Sequence, residues 1–282
     1  MFCTISSAPM KFLISGVIVS SLFLLNTTEA SDFDSSRGNQ TFQSFNKAKK
    51  ALEHNVIYDR RVTIYCGVSF DKEKFIDLPN SFLSMKHKKR AEKMEWEHAV
   101  PAENFGRFFA EWREGSPLCI DNRGMPFKGR KCAEKANTTF RYMQSDMYNL
   151  YPAIGAVNAE RGNKNFGILP ASAQNSFGSC SMKISENKVE PPVRARGPIA
   201  RTYKYMAYAY PLFKLSSEQE RLMNAWDKQY PVDKWECVRA KRIERIQGNE
   251  NPFVKLPCQE KNLWYSLLNG QVRHFLTVIC CK

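Results

Sequence analysis

The stretch that decides the reading is MEWEHAVPAENFGR, residues 94–107. It sets an acid, Glu97, beside an imidazole, His98, between Trp96 and Pro101. The chain has four histidines, and His98 is the only one within a dense set of polar and aromatic residues. MEWEHAV alternates in character and reads as extended, and FGRFFAEWRE at 105–114 reads as helical. Neighbours on an ideal strand point to opposite faces. Glu97 and His98 can therefore serve one site only at a strand's end or in a loop, and Pro101 places such an end nearby.

A second unusual stretch, SDMYNLYPAIGAVNAERGN, covers 145–163. It offers a further oxygen ligand in Asn149. Residues 140–160 read as helical, with a kink or break at Pro152. Hydrolysis of a phosphodiester needs a base for water, cations for the phosphate charge and a stabilised leaving oxygen. A histidine can take the proton near neutral pH. A hard divalent ion on oxygen ligands serves the other two needs, and an arginine fork holds a phosphate. Each of these residues also has an ordinary use. A lone histidine is most often structural, Asn149 can cap a turn, and Glu97 can belong to a surface ion pair.

The bulk numbers agree with a polyanionic partner. The 282 residues are 43% apolar, enough for a packed core. Lys and Arg number 42 against 28 acids, a formal charge of +14. That imbalance attracts nucleic acid or an anionic membrane. FLISGVIVSSLFLL at 12–25 follows Lys11 and precedes Thr28-Glu29-Ala30. This reads as a secretory signal peptide over 1–30, with Met10 as a second candidate start. Residues 31–40 are polar and expected to be disordered. With the signal removed no stable membrane association is expected, and the destination is the periplasm or the medium.

Eight cysteines follow the signal: Cys66, Cys119, Cys132, Cys180, Cys237, Cys258, Cys280 and Cys281. In an exported chain an even number reads as disulfides, with the pairing open. Zinc would want C-x-x-C spacing, and the chain has none.

Along the chain, Phe42, Phe45, Ala48 and Leu52 predict a helix over 42–54, and RVTIYCGVSF at 61–70 predicts a strand. KHKKRAEK at 86–93, with Lys89 and Arg90, is a basic run leading to the first motif. Residues 115–132 read as a loop. Helices are expected at about 197–210, 216–229 and 232–247, with Asp233 capping the last. The whole reads as one α+β domain, strands early and helices late.

MEWEHAVP and SDMYNLYPAIGAVNAERGN, followed by PPVRARGPIARTYKYM (191–206) and NAWDKQYPVDKWECVRAKRIERIQGNENPFV (224–254), resemble the bacterial endonuclease I family. The resemblance spans about 44 to 258. It implies a nuclease domain over 41–258 with a ββα-metal (His-Me finger) motif, and an extension of unknown role at 259–282. It implies a non-specific exported endonuclease, acting as a monomer on double- and single-stranded DNA and on RNA. The expected ends are 5′-phosphate and 3′-hydroxyl, and the expected cofactor is one Mg2+, with Ca2+ or Mn2+ as alternatives. By position, the resemblance implies His98 as base, Glu97 and Asn149 as metal ligands, and Arg130 of GRKC as phosphate support. Arg194, Arg196, Arg201 and Lys204, with Lys89 and Arg90, are expected to meet nucleic acid. Cys66, Cys119, Cys132, Cys180, Cys237 and Cys258 are expected in disulfides, with one bridge familiar in the family absent or rerouted because residues 65–68 read YCGV rather than YCGC. The alternative from another class is an exported cationic protein that coats nucleic acid without cutting it.

Overall fold

The structure is a computed structural model that describes residues 37–268, with side chains to Lys261. The predicted signal, and the tail with Cys280 and Cys281, lie outside the described residues. No helix among the described residues is long and apolar enough to cross a membrane.

The first predicted helix is present as α1, Phe45–Ala51, which winds on through one wider turn, Leu52–Val56. Ser44 caps it by accepting from the Lys47 N–H, worth about 1 kcal/mol. Ala48 and Leu52, on the predicted apolar face, are fully buried.

The predicted strand at 61–70 does not form. Val62 and Ser69 make an isolated bridge around a tight turn. Thr63 closes that turn, its carbonyl accepting from Gly67 N and its hydroxyl from Val68 N. Gly67 stands at φ +71 against the Arg194 guanidinium, a place for glycine alone. Cys66 is bonded to Cys180. Turn chemistry and the disulfide outweigh the β-propensity of Val, Ile and Tyr.

β1, Met94–His98, pairs antiparallel with β2, Leu150–Ile154, in the register Glu97↔Tyr151 and His98↔Leu150. Between them lie α2 (Ala102–Gly106), α3 (Arg130–Ala136) and α4 (Thr138–Gln144). The stretch 140–160, expected to be helical with a kink or break at Pro152, is thus several elements, one of them a strand. α4 ends at Gln144, and a 3-10 turn over Met147–Asn149 is capped by Asp146. β2 follows with Pro152 inside it, and then α5, Gly155–Arg161. A Cβ on Gly155 would come within 2.5 Å of the Arg90 carbonyl, so glycine lets α5 begin hard against β1.

A second small sheet has the order β3 (Asn165–Phe166), β5 (Lys188–Glu190), β4 (Lys183–Ile184). The C-terminal half is helical as expected: α6 (Val193–Ala209), α7 (Ser217–Gln229), α8 (Lys234–Gln247) and α9 (Pro252–Leu268). Ser216 and Asp233 cap α7 and α8. α9 runs through the expected boundary at 258. The fold is α+β. One core joins both halves, with Phe105, Phe140, Leu150, Phe166, Ile199, Met206 and Ile243 all fully buried. Each such side chain contributes about 1.5–3 kcal/mol.

The expectation of disorder over 31–40 fails where the chain is described. Asn39 is fully buried, and its N–H donates to Tyr210 Oη at 2.8 Å. Tyr210 and Tyr205 donate in turn to the buried Asp146 carboxylate at 2.7 and 2.6 Å. Polar composition suggested a free segment, but these side chains complete a buried hydrogen-bond network.

Candidate active site

Glu97 and His98 are the last two residues of β1, so both stand at the strand's end. Both line one open cleft of about 310 Å3, together with Trp96, Arg130, Asn158 and Arg161. The Glu97 carboxylate is 3% exposed. Its Oε1 accepts from Tyr65 Oη at 2.6 Å and Arg161 Nη1 at 2.9 Å. Arg161 is fully buried and donates also to the carbonyls of His98 and Ala99 at 2.8 and 2.6 Å. One guanidinium therefore fixes both the carboxylate and the backbone that carries the histidine. Burial pushes the Glu97 carboxyl up, while Arg161 and Tyr65 pull it down.

His98 Nε2 lies 2.8 Å from the Gln144 carbonyl. A carbonyl only accepts, so Nε2 bears the proton and Nδ1 keeps the free lone pair. Among the described residues no protein group bonds Nδ1. Burial first, and Arg130 next, depress the imidazole to about 3, against the raising effect of the Gln144 carbonyl. The ring is neutral at any ordinary pH, the form able to accept a proton. Phe45 packs on it with centroids 4.9 Å apart.

Three side-chain oxygens of cleft-lining residues, Glu97 Oε2, Asn158 Oδ1 and Asn163 Oδ1, have no protein partner among the described residues; of these, Asn163 is exposed, whereas Glu97 is buried and Asn158 half-buried. A carboxylate plus a carboxamide is a donor set suited to a hard divalent ion that keeps several waters. No cluster of three or more His, Cys, Asp or Glu side chains able to hold an ion occurs among the described residues. The cleft therefore fits an ion completed by solvent and substrate better than one caged by protein.

The Endonuclease I family model matches residues 24–258 of the chain. The chain belongs to the endonuclease I family. It is 40% identical over 225 residues to an extracellular deoxyribonuclease of Aeromonas hydrophila, covering 77% of this chain and 90% of that protein. It is 40% identical to a periplasmic deoxyribonuclease of the same organism, covering 78% of this chain and 89% of that protein. It is 37% identical to endonuclease-1 of Buchnera aphidicola, covering 79% of this chain and 84% of that protein. The protein is an exported endonuclease of this family.

This family member brings together three of the residues expected at the site, Glu97, His98 and Arg130. It does not bring Asn149 there. Asn149 is fully buried, and its carboxamide is used up on one backbone residue, Oδ1 accepting from Val100 N at 2.7 Å and Nδ2 donating to Val100 O at 3.0 Å. With both ends engaged and no exposed surface, Asn149 clamps the chain two residues past His98 and does not line the cleft. Two asparagines line the cleft, the exposed Asn163 and, half-buried on α5 with Nδ2 donating to Glu95 at 3.0 Å, Asn158. It lay in the same quoted stretch, and the missed signal was the strand hidden at LYPAI, which makes GAVN the start of the helix after it.

The expected nucleic-acid contacts divide. Lys89 is exposed; Arg194 is exposed too, but its Nη1 donates to the Thr63 carbonyl at 2.8 Å. Arg90 is exposed but forks onto Glu95 through Nε and Nη2. Arg201 is 1% exposed, sealed between Glu236 at 2.6 Å and Asp227 at 3.0 Å, and cannot reach a phosphate. Lys204 pairs with Asp227, and Arg196 pairs with Glu190 at 2.6 Å beneath Trp226. These three hold α6 to its neighbours. The basic stripe misled because alternate cations of a packed helix face inward, where acids from α7, α8 and β5 meet them. The six cysteines expected in bridges form Cys66–Cys180, Cys119–Cys132 and Cys237–Cys258.

Proposed function

We propose that the cleft hydrolyses phosphodiester bonds of double- and single-stranded DNA, and of RNA, without sequence preference. The reading includes one divalent ion, Mg2+ with Ca2+ or Mn2+ as alternatives, a monomeric enzyme, and 5′-phosphate and 3′-hydroxyl products. The observation that carries it is the His98–Gln144 hydrogen bond, which leaves a neutral imidazole with Nδ1 free in a cleft shared with a carboxylate and an arginine. His98 Nδ1 takes the proton of the attacking water as its oxygen closes on phosphorus. Gln144 holds the ring so that no tautomer change is needed. Arg130 presents its fork to a non-bridging phosphate oxygen. Arg161 and Tyr65 hold the Glu97 carboxylate in one orientation. Glu97 Oε2 and Asn158 Oδ1 would hold the ion. When bound, it supplies positive charge at the scissile phosphate and at the departing 3′ oxygen.

Recognition through phosphate explains the breadth of substrate. Phosphate contacts carry no sequence information and are common to DNA and RNA. The test is incubation of the mature protein with plasmid and with RNA in Mg2+, with and without excess chelator, beside His98→Ala. Cleavage is expected only in the wild type with the ion. Digestion that persists in chelator, or in His98→Ala, removes the mechanism. A gel shift without scission under Mg2+ favours the coating protein instead.

A further inference from the structure

The cleft described above leaves two cations beside His98 without an acid, and only one of them, Arg130, lies in the cleft itself. The other is Lys49. Its Nζ stands over the Phe45 ring at 4.4 Å, and the Arg130 guanidinium stands over the same ring at 5.5 Å. That ring is the one packed on the His98 imidazole at 4.9 Å. Phe45 and Lys49 are four apart on α1, and such pairs meet on one helix face. A single aromatic ring thus sets the places of the base and of both cations. The two charges lie within about 10 Å, one Debye length at 0.1 M salt.

Among the described residues neither cation forms an ion pair, and the one polar contact of the Arg130 guanidinium is Gln144 Oε1 at 3.5 Å. The acid that favours the Lys49 charge is Glu53, already engaged by Lys74 at 2.5 Å and by the Trp96 indole at 2.9 Å. Lys49 is half-buried, and burial together with Lys74 and Arg130 works against its charge. A partly desolvated cation among other cations is costly unless a counter-ion arrives from outside. Lys47 and Lys50 on the same helix point into solvent.

We propose that Lys49 and Arg130, set over the Phe45 ring, clamp successive phosphates of one nucleic-acid strand. Arg130 lines the cleft and takes the scissile phosphate. Lys49 stands outside the cleft wall and takes the adjoining one. The ligand is the phosphodiester backbone of DNA or RNA, and the assignment rests on the nuclease reading above.

The test compares Lys49→Gln, Lys49→Met and Lys49→Arg with Lys50→Gln. Cleavage kinetics are measured in the active enzyme. Binding of fluorescent single-stranded and duplex oligonucleotides of several sequences is measured across salt in a His98→Ala background. One lost phosphate contact should reduce the slope of log affinity against log salt by about one, uniformly across sequences. Lys49→Gln and Lys49→Met should do this and raise KM with kcat nearly unchanged. Lys49→Arg should restore both, and Lys50→Gln should match the wild type. Lys49→Met keeps the alkyl stem on Phe45, so it reads the charge alone if Lys49→Gln disturbs α1. An unchanged slope in Lys49→Met, or a fall in kcat at constant KM that Lys49→Arg does not restore, overturns the clamp. Wild-type cleavage in Mg2+ tests the nuclease reading separately, so the two failures are distinct.

Discussion

Asn149 and Asn158 make opposite predictions, and replacing each with alanine separates them. Asn149→Ala deletes both hydrogen bonds to the Val100 backbone, at a place where Asn149 and Val100 are each fully buried. Each buried group left without a partner costs about 1–3 kcal/mol, so the pair costs about 2–6 kcal/mol. For a protein of this size that is a fall in melting temperature on the order of 5–20 °C. Asn158→Ala removes one half-exposed bond to Glu95, which keeps Arg90, so its cost should be about 1 kcal/mol or less. The ion should behave in reverse. Losing Asn158 Oδ1 should weaken ion binding by at least about 10–100-fold, the range that even outer partners of a metal command. Folded Asn149→Ala should bind the ion normally. Melting followed by circular dichroism in chelator reads the first quantity, and titration with Mn2+ followed by its paramagnetic signal reads the second. If Asn149→Ala melts like the wild type and loses the ion while Asn158→Ala keeps it, the assignment of the two asparagines is reversed.

Three further outcomes are expected. Arg161→Met leaves the buried Glu97 carboxylate without its cation and should destabilise by about 3–5 kcal/mol. Arg161→Lys should recover little of this, since one ammonium cannot span Glu97, His98 O and Ala99 O, and urea unfolding measures both. Replacing Cys66 and Cys180 together by serine opens a link with a sequence separation of 114, worth about 4–5 kcal/mol on the loop-entropy account. Activity should fall beyond what the unfolded fraction explains, because Tyr65 is then freed from Glu97. Equal loss on opening Cys119–Cys132 would argue against that special role. Arg201→Gln should lower the melting temperature by stranding Glu236 while leaving KM for DNA unchanged in the folded protein. A raised KM at normal stability would return Arg201 to the nucleic-acid surface.

The helices of the C-terminal half were legible because their apolar spacing and caps agree. Ser216 and Asp233 sit where the chain turns into α7 and α8, and Met223, Trp226 and Ile243 face the core. The failures lie where long-range contacts overrule local preference. RVTIYCGVSF has strand residues throughout, yet a disulfide to Cys180 and the Thr63 turn bend it double. LYPAI looked like a broken helix because Pro152 falls inside it. On β2 that proline costs nothing at the position where an N–H is not called on, and its carbonyl still accepts from Ile64 N at 2.8 Å. Asn39 looked like part of a polar tail because its partners, Asp146 and Tyr210, are more than a hundred residues away in sequence.

The site itself follows from register once β2 is seen. Glu95 and Glu97 are two apart on β1 and so share a face. Asn158 and Arg161 are three apart on α5 and so share a face of that helix. Helix and strand are apposed, and the pairs meet in order: Asn158 with Glu95, Arg161 with Glu97. Asn149 precedes β2 and stands opposite Ala99, whose N–H donates to its carbonyl at 3.0 Å. There it extends the ladder by one side-chain pairing with Val100. Two asparagines nine residues apart are therefore assigned by what lies between them. A helix throughout would have left either one eligible, whereas a five-residue strand followed by a helix gives one to the backbone and the other to the cleft. The same apposition explains why Arg161 is buried rather than offered to substrate. It is the cation that opposes the upward push of burial on the Glu97 carboxyl at the end of β1, next to an imidazole whose own surroundings keep it neutral. A carboxyl oriented by a guanidinium beside a base held uncharged is the arrangement the proposed hydrolysis uses, and it is built from residues that the strand–strand–helix order brings to one end of one strand.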